Sequence, residues 1–249
     1  MSAHKKNNKP TPVWARVGNK LQTVFKTFFQ ITQEFLLIIF YPFAGIFQKV
    51  FEPIFKTQSK LTNANTILIV ERWFNPNILH LFWKRYLEKK GFRVIIVNFP
   101  FQEGDFESSA DKLSAYIAKH ELQDFVLVGV SGGGLTALRY LQKYRGWKQI
   151  KRAITIGSPL GGTYLMWFLG IFASGRDLWL GSPLTEQIKR IKEVDKRKLF
   201  CIRASFDEMV PEWSSSISGT NIITIPVWGH NVLHMASIQT YETVAKLAE

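Results

Sequence analysis

Cysteine is almost missing from the 249 residues: Cys201 stands alone. A single thiol excludes an intramolecular disulfide and any zinc site built on cysteine pairs. It lies in the apolar run Leu199-Phe200-Cys201-Ile202, where a small inert buried thiol is expected. Acidic residues are scarce, with 19 Asp and Glu against 32 Lys and Arg for a net charge of +13. Long hydrophobic runs are lacking too. The most apolar stretch, 35–47, has 13 residues, and a helical span of a bilayer needs about 20. Basic residues continue to Lys26 and no small-x-small site follows, so the N-terminus does not read as a cleaved signal peptide. What is plentiful is apolar and aromatic. With 46% hydrophobic residues, 20 of them Phe, the chain can bury one sizeable core and is not wholly disordered.

The positive charge is concentrated at the start. Residues 1–60 hold nine Lys and Arg against Glu34 and Glu52 alone, a net charge of +7. Within them Leu21, Val24, Phe25 and Phe28 share one helical face, and after Pro42 the spacing recurs at Phe43, Ile46, Phe47, Val50, Phe51, Ile54 and Phe55. This reads as two amphipathic helices separated at Pro42 and lying in a membrane interface with anionic lipid. Packing of the same helices on the following domain or on a partner subunit is the competing reading. A tilted span is a third, and it would have to carry Gln30, Gln33 and Glu34 through hydrocarbon. Basic charge mixed with Phe-rich helices points to lipid rather than to nucleic acid.

From residue 66 onward the pattern alternates. Short apolar runs at 67–70, 94–98, 125–130, 153–157, 199–203 and 222–225 are interleaved with helical segments at 77–90, 108–119, 133–144, 185–192 and 231–247. Near-continuous Val, Ile and Leu strands joined by helices specify an α/β fold with a mostly parallel sheet covered on both faces. The division expected is an extension over 1–60 and one domain over 61–249. Ligand sites in such sheets lie beyond the carboxyl ends of the strands, so the residues after each run carry the functional information.

The third run leads into Gly129-Val130-Ser131-Gly132-Gly133 and then a helix. This is G-x-S-x-G between strand and helix, the context of a nucleophile elbow. The Gly132 N–H, at a helix N-terminus, is placed to stabilise an oxyanion. A phosphate-binding loop is the competing reading, but the segment has no P-loop lysine and the wrong glycine spacing for a dinucleotide fingerprint.

A serine hydroxyl needs a base, and the base needs an orienting carboxylate. After the fifth run come Asp207 and Glu208, and after the sixth come Gly229 and His230. Asp207 is preferred as the acid with Glu208 as fallback; His230 is preferred as the base over His234, which falls inside the next helix. His4, His80 and His120 read as surface residues.

These segments resemble the α/β-hydrolase superfamily, in particular its lipase and esterase branches, over about residues 66–249. Gly157-Ser158-Pro159-Leu160-Gly161-Gly162-Thr163 adds to the likeness, resembling a G-[ST]-P-H-G-G-T segment with Leu160 in place of His. The resemblance implies Ser131, Asp207 and His230 as a catalytic triad, and Trp73 and Gly132 as backbone donors of the oxyanion hole. Glu71-Arg72-Trp73 stands where a His-Gly pair is usual, with Arg72 at the glycine position. Arg72 is therefore expected to pair with Glu71 as a brace or to favour an anionic substrate. The first two strands of the family are missing, which implies a reduced sheet of about six strands flanked by helices.

An apolar insertion at 164–184, with Trp167, Phe168, Phe172 and Trp179, lies where the family places a lid; an ordinary helix on the sheet is the alternative. Together these features imply a serine hydrolase that cleaves carboxylic esters of a lipid-like substrate through an acyl-enzyme, at the cytoplasmic face of a membrane. The chemistry needs no metal or organic cofactor. Acyl transfer by the same residues and a non-catalytic membrane scaffold with this fold are the alternatives.

Overall fold

The computed structural model describes residues 23–39, 65–72, 80–99, 104–164 and 173–249. Residues 23–39 form helix α1. The expected second amphipathic helix at 43–55 lies outside the described residues. The alternating region follows as β1 (Thr66–Arg72), α2 (Leu81–Lys89), β2 (Arg93–Asn98), α3 (Phe106–Lys119), β3 (Phe125–Ser131), α4 (Gly132–Lys143) and β4 (Ile150–Ile156). Short helices α5 (Ala173–Asp177), α6 (Pro183–Ile188) and α7 (Glu193–Lys196) precede β5 (Leu199–Phe206), β6 (Asn221–Trp228) and α8 (Ile238–Ala248).

All six apolar runs became strands of one sheet, in the order β2-β1-β3-β4-β5-β6. Every pair is parallel, so the mostly parallel sheet of the sequence reading is wholly parallel. Its two faces are filled by alternate residues of the same strands. Leu68, Val70, Phe125 and Leu127 face α3, α4 and α6, whereas Ile67, Ile69, Val126 and Val128 face α2 and α8. Leu37 of α1 joins the second layer. Each such side chain contributes about 1.5–3 kcal/mol through burial, and this two-sided burial explains why the strands read as continuous apolar runs.

Helix ends follow local chemistry. Asp105 caps α3 by accepting the Ser108 N–H at 2.8 Å, and Ser182 caps α6 ahead of Pro183. The helix expected over 185–192 is shorter: α6 ends at Ile188, and α7 starts only at Glu193, beyond that span. The one expected over 231–247 divides. Residues Val232–Ala236 form a π turn, and Ser237 then adopts extended geometry and accepts the Thr240 N–H at 3.2 Å. That cap restarts the chain as α8.

The strand order reverses between β1 and β3, because β2 lies on one side of β1 and all later strands on the other. Such a switch point leaves a crevice at the carboxyl ends of the two strands. Arg72 and Ser131 are register partners there. Helix α4 comes so close to β1 that a Cβ on Gly133 would overlap the Val70 carbonyl. Gly133→Ala is therefore expected to destabilise the fold by about 1–3 kcal/mol through backbone displacement, read as a lowered thermal midpoint.

Candidate active site

Ser131 occupies the junction between β3 and α4 with φ +50° and ψ −125°. A non-glycine residue in that region costs about 1–3 kcal/mol and persists only where its surroundings hold it. Here they do. Gly132 follows immediately, where a Cβ would lie 3.1 Å from the Arg72 carbonyl, and opens α4. Helix α4 thus brings its positive end beside Ser131.

The strand ends gather three side chains distant in sequence. His230 Nε2 lies 3.0 Å from Ser131 Oγ, and His230 Nδ1 lies 2.8 Å from Asp207 Oδ2. The other Asp207 oxygen, Oδ1, accepts the N–H groups of Met209 at 2.9 Å and Val210 at 2.8 Å. Those two bonds fix the carboxylate, and the carboxylate fixes the imidazole with its Nδ1 proton directed inward and Nε2 free to accept from the serine. Glu208 takes another role: Oε2 accepts the main-chain N–H of His230 at 3.1 Å. Gly157, with φ +55°, passes beside the His230 ring, where a side chain would crowd it.

The electrostatics follow from burial and the surrounding carboxylates. Burial alone would lower the basicity of His230, but Asp207, Glu208 and Glu34 outweigh it and raise its pKa above the ordinary imidazole value. Burial, reinforced by Glu34 and Asp207, pushes Glu208 up to about 7. His234 goes the other way: buried, and flanked by His230 and His80, it is held well below the ordinary value and is neutral.

Several expectations are corrected here. His80 is not a surface residue; it is fully buried, 3.0 Å from Glu71 through Nε2, and stacked on His234. His234 sits in the π turn rather than in a regular helix and meets the His230 ring edge-on, with centroids 5.1 Å apart. His120 is exposed as expected. The Arg72 side chain reaches the start of α3. Its guanidinium donates to Ser109 Oγ and the Gly104 carbonyl and lies 4.3 Å over the Phe106 ring. It therefore braces the start of α3. Leu160 is buried in the core. Trp179 is part-exposed beside Gly162; Trp73, Trp167, Phe168 and Phe172 lie outside the described residues.

Sequence reasoning missed Gln30 and Glu34. Both are buried, and both bond to the His230 loop. Their signal was visible as two polar residues at i, i+4 in a helix otherwise rich in Phe, Leu and Ile. Among the described residues, no group of three His, Cys, Asp or Glu side chains is placed to hold a metal ion.

The fold and the rim geometry invite comparison with known proteins. No protein-family model and no curated protein sequence matches the chain. Solved structures do. The mature form of a Bacillus licheniformis lipase superposes with TM-score 0.61 at 14% identity, covering 77% of this chain and 94% of that one. Aspergillus fumigatus lipase B gives 0.58 at 15%, covering 76% and 54%. An esterase from Exiguobacterium antarcticum gives 0.54 at 16%, covering 74% and 91%.

The raised basicity of His230 is measurable. An NMR titration is expected to place its midpoint above 6.5. Glu208→Gln should lower that midpoint slightly, because Glu208, held up to about 7, is only partly ionised there and lends the imidazolium a fraction of a charge.

Proposed function

We propose that the chain, which shares the α/β-hydrolase fold of these lipases and esterases, is a serine hydrolase that cleaves carboxylic ester bonds of a lipid-like substrate. The observation that carries this reading is the unbroken chain of contacts from Ser131 Oγ through His230 to Asp207. In this mechanism Ser131 Oγ attacks the ester carbonyl carbon while His230 Nε2 takes the hydroxyl proton. Asp207 keeps the imidazole oriented and stabilises the imidazolium. The oxyanion accepts the Gly132 N–H at the start of α4, with Trp73 N–H proposed as the second donor. Collapse of the tetrahedral intermediate expels the alcohol, which takes its proton from His230 Nε2 and leaves an acyl group on Ser131. Water then attacks that acyl group with His230 as base, and the acid departs with Ser131 restored.

A fluorophosphonate probe tests this directly, since it labels only activated serines. Wild-type protein is expected to be labelled. Ser131→Ala should abolish labelling, and His230→Ala should slow it on the order of 10⁴-fold or more. A wild-type protein that resists the probe in the presence of detergent or vesicles would leave the non-catalytic scaffold as the reading. Product analysis with added alcohol acceptors separates hydrolysis from acyl transfer.

A lipid-like substrate is favoured by the outer side of α1. Phe25, Phe28, Phe29, Phe35, Leu36 and Ile39 are each 45% to 75% exposed, and Phe206 and Trp228 stack part-exposed at the ends of β5 and β6. An apolar face of this extent marks an interaction surface. The net charge of +7 over residues 1–60 complements an anionic bilayer, so the proposed occupant is a membrane interface with its acidic headgroups. No helix among the described residues is long and apolar enough to cross a membrane. Co-sedimentation with phosphatidylglycerol vesicles should pellet the wild-type protein. Replacing Phe25, Phe28 and Phe35 together by Ser should weaken partitioning at least about tenfold, and unchanged pelleting would overturn the interfacial role of α1.

A further inference from the structure

Helix α1 is amphipathic with its polar side inward. Glu34 is buried, and its Oε1 accepts the main-chain N–H of Asn231 at 3.0 Å and the side-chain Nδ2 of Asn231 at 2.6 Å. Its Oε2 accepts the N–H of Val232 at 2.8 Å. One turn earlier, Gln30 Oε1 accepts the N–H of Trp228 at 3.2 Å. The helix therefore bonds the main chain on both sides of His230. Between these points Gly229, at φ +110°, passes so close that a Cβ would overlap the Glu34 carboxylate.

These bonds complete the hydrogen bonding of the loop. Strand β6 ends at Trp228 and is an edge strand, so donors beyond it have no ladder to join. The Gly229 N–H goes to the Phe206 carbonyl at 3.0 Å and the His230 N–H goes to Glu208. The Trp228, Asn231 and Val232 N–H groups go to α1. Without the helix, those three donors lose their protein partners, and the backbone carrying the imidazole loses its hold on the outer side.

We infer that Glu34 is a positioning residue for His230, acting through the 228–232 loop, and that α1 joins this hold to lipid contact in one rigid element. The inference rests on reading Ser131, His230 and Asp207 as the hydrolytic groups. Glu34 touches no reacting atom; it acts on the backbone that aims the base and adds a negative charge near it. The other groups facing His230 are Asp207 at Nδ1, Glu208 at its main-chain N–H, and the neutral His234 ring, with His80 stacked behind.

The test uses the full chain with Glu34→Ala, Glu34→Gln and Gln30→Ala, a short-chain p-nitrophenyl ester, and NMR titration of His230 in a Ser131→Ala background. Glu34→Ala is expected to lower kcat on the order of 10- to 100-fold, the range for a slightly misplaced base, with KM changed less than about twofold. Gln30→Ala should give a smaller loss in the same parameter. Glu34→Gln keeps one acceptor oxygen and removes the charge, so it should move both the acid limb of kcat and the His230 titration to lower pH. Should Glu34→Ala fail to fold, Glu34→Gln decides. A folded Glu34→Gln with wild-type kcat, acid limb and His230 titration would overturn the inference. A wild-type chain that neither turns over ester nor takes the fluorophosphonate probe overturns the hydrolase reading instead. In that case the titration alone judges the clamp, and coincident His230 curves overturn it.

Discussion

Gly133 lies against the Val70 carbonyl and Gly134 against Ser158, at separations that leave no room for a Cβ. That contact lets α4 pass directly beneath the β1–β3 pair, and the rim geometry descends from it. The chain must turn within one residue, so Ser131 takes a backbone conformation costing about 1–3 kcal/mol. The flanking elements offset this several times over, because Leu127, Val128, Leu135 and Leu138 are fully buried beside it and each contributes about 1.5–3 kcal/mol. The strain is thus local and the support distributed. The result is a serine at the switch point of the sheet with a helix N-terminus at its side.

The second determinant is electrostatic. Two adjacent carboxylates leave the end of β5, and the structure divides their work by geometry. Asp207 is short and is anchored by two backbone N–H groups, so its remaining oxygen meets His230 in a single orientation. Glu208 is longer and reaches past the ring to the main chain of His230. It shares its surroundings with Glu34, and their repulsion adds to burial in holding Glu208 up to about 7. Concentrating acidic groups around one imidazole favours its protonated form. That suits the step in which His230 would carry the serine proton, and it sets the lower pH at which the same group could still serve as base.

The parallel sheet, its six strands and the meeting of Ser131, Asp207 and His230 were legible in the sequence for a physical reason. Strands buried on both faces leave contiguous apolar runs, and the residues that follow them are confined to one rim. Helix boundaries were less legible: the break at Ser237 depends on one hydroxyl finding the Thr240 N–H, which periodicity does not register. Arg72 misled for a related reason. A charged residue at a strand end reads as facing the crevice, but its side chain turns toward Ser109 and Phe106, where it is buried. His80 and His234 were illegible because their burial comes from contact with each other across elements that no local window joins.

Glu34 shows the same limit most plainly. Along the sequence it counts against a membrane span, which is sound as far as it goes. Polarity alone does not tell which side of a helix faces protein, because the usual assumption puts the apolar stripe inward. Here the assumption inverts. The inner surface offered to α1 is the unsatisfied edge of β6 and the loop beyond it, and a donor-rich edge is best met by acceptors such as Gln30 and Glu34. Once the acceptors turn inward, the phenylalanines on the other side have no core to enter and stand exposed. The exposed apolar face and the hold on the His230 loop are therefore two consequences of one orientation. A change that turned the helix to bury its phenylalanines would also withdraw its acceptors from the loop.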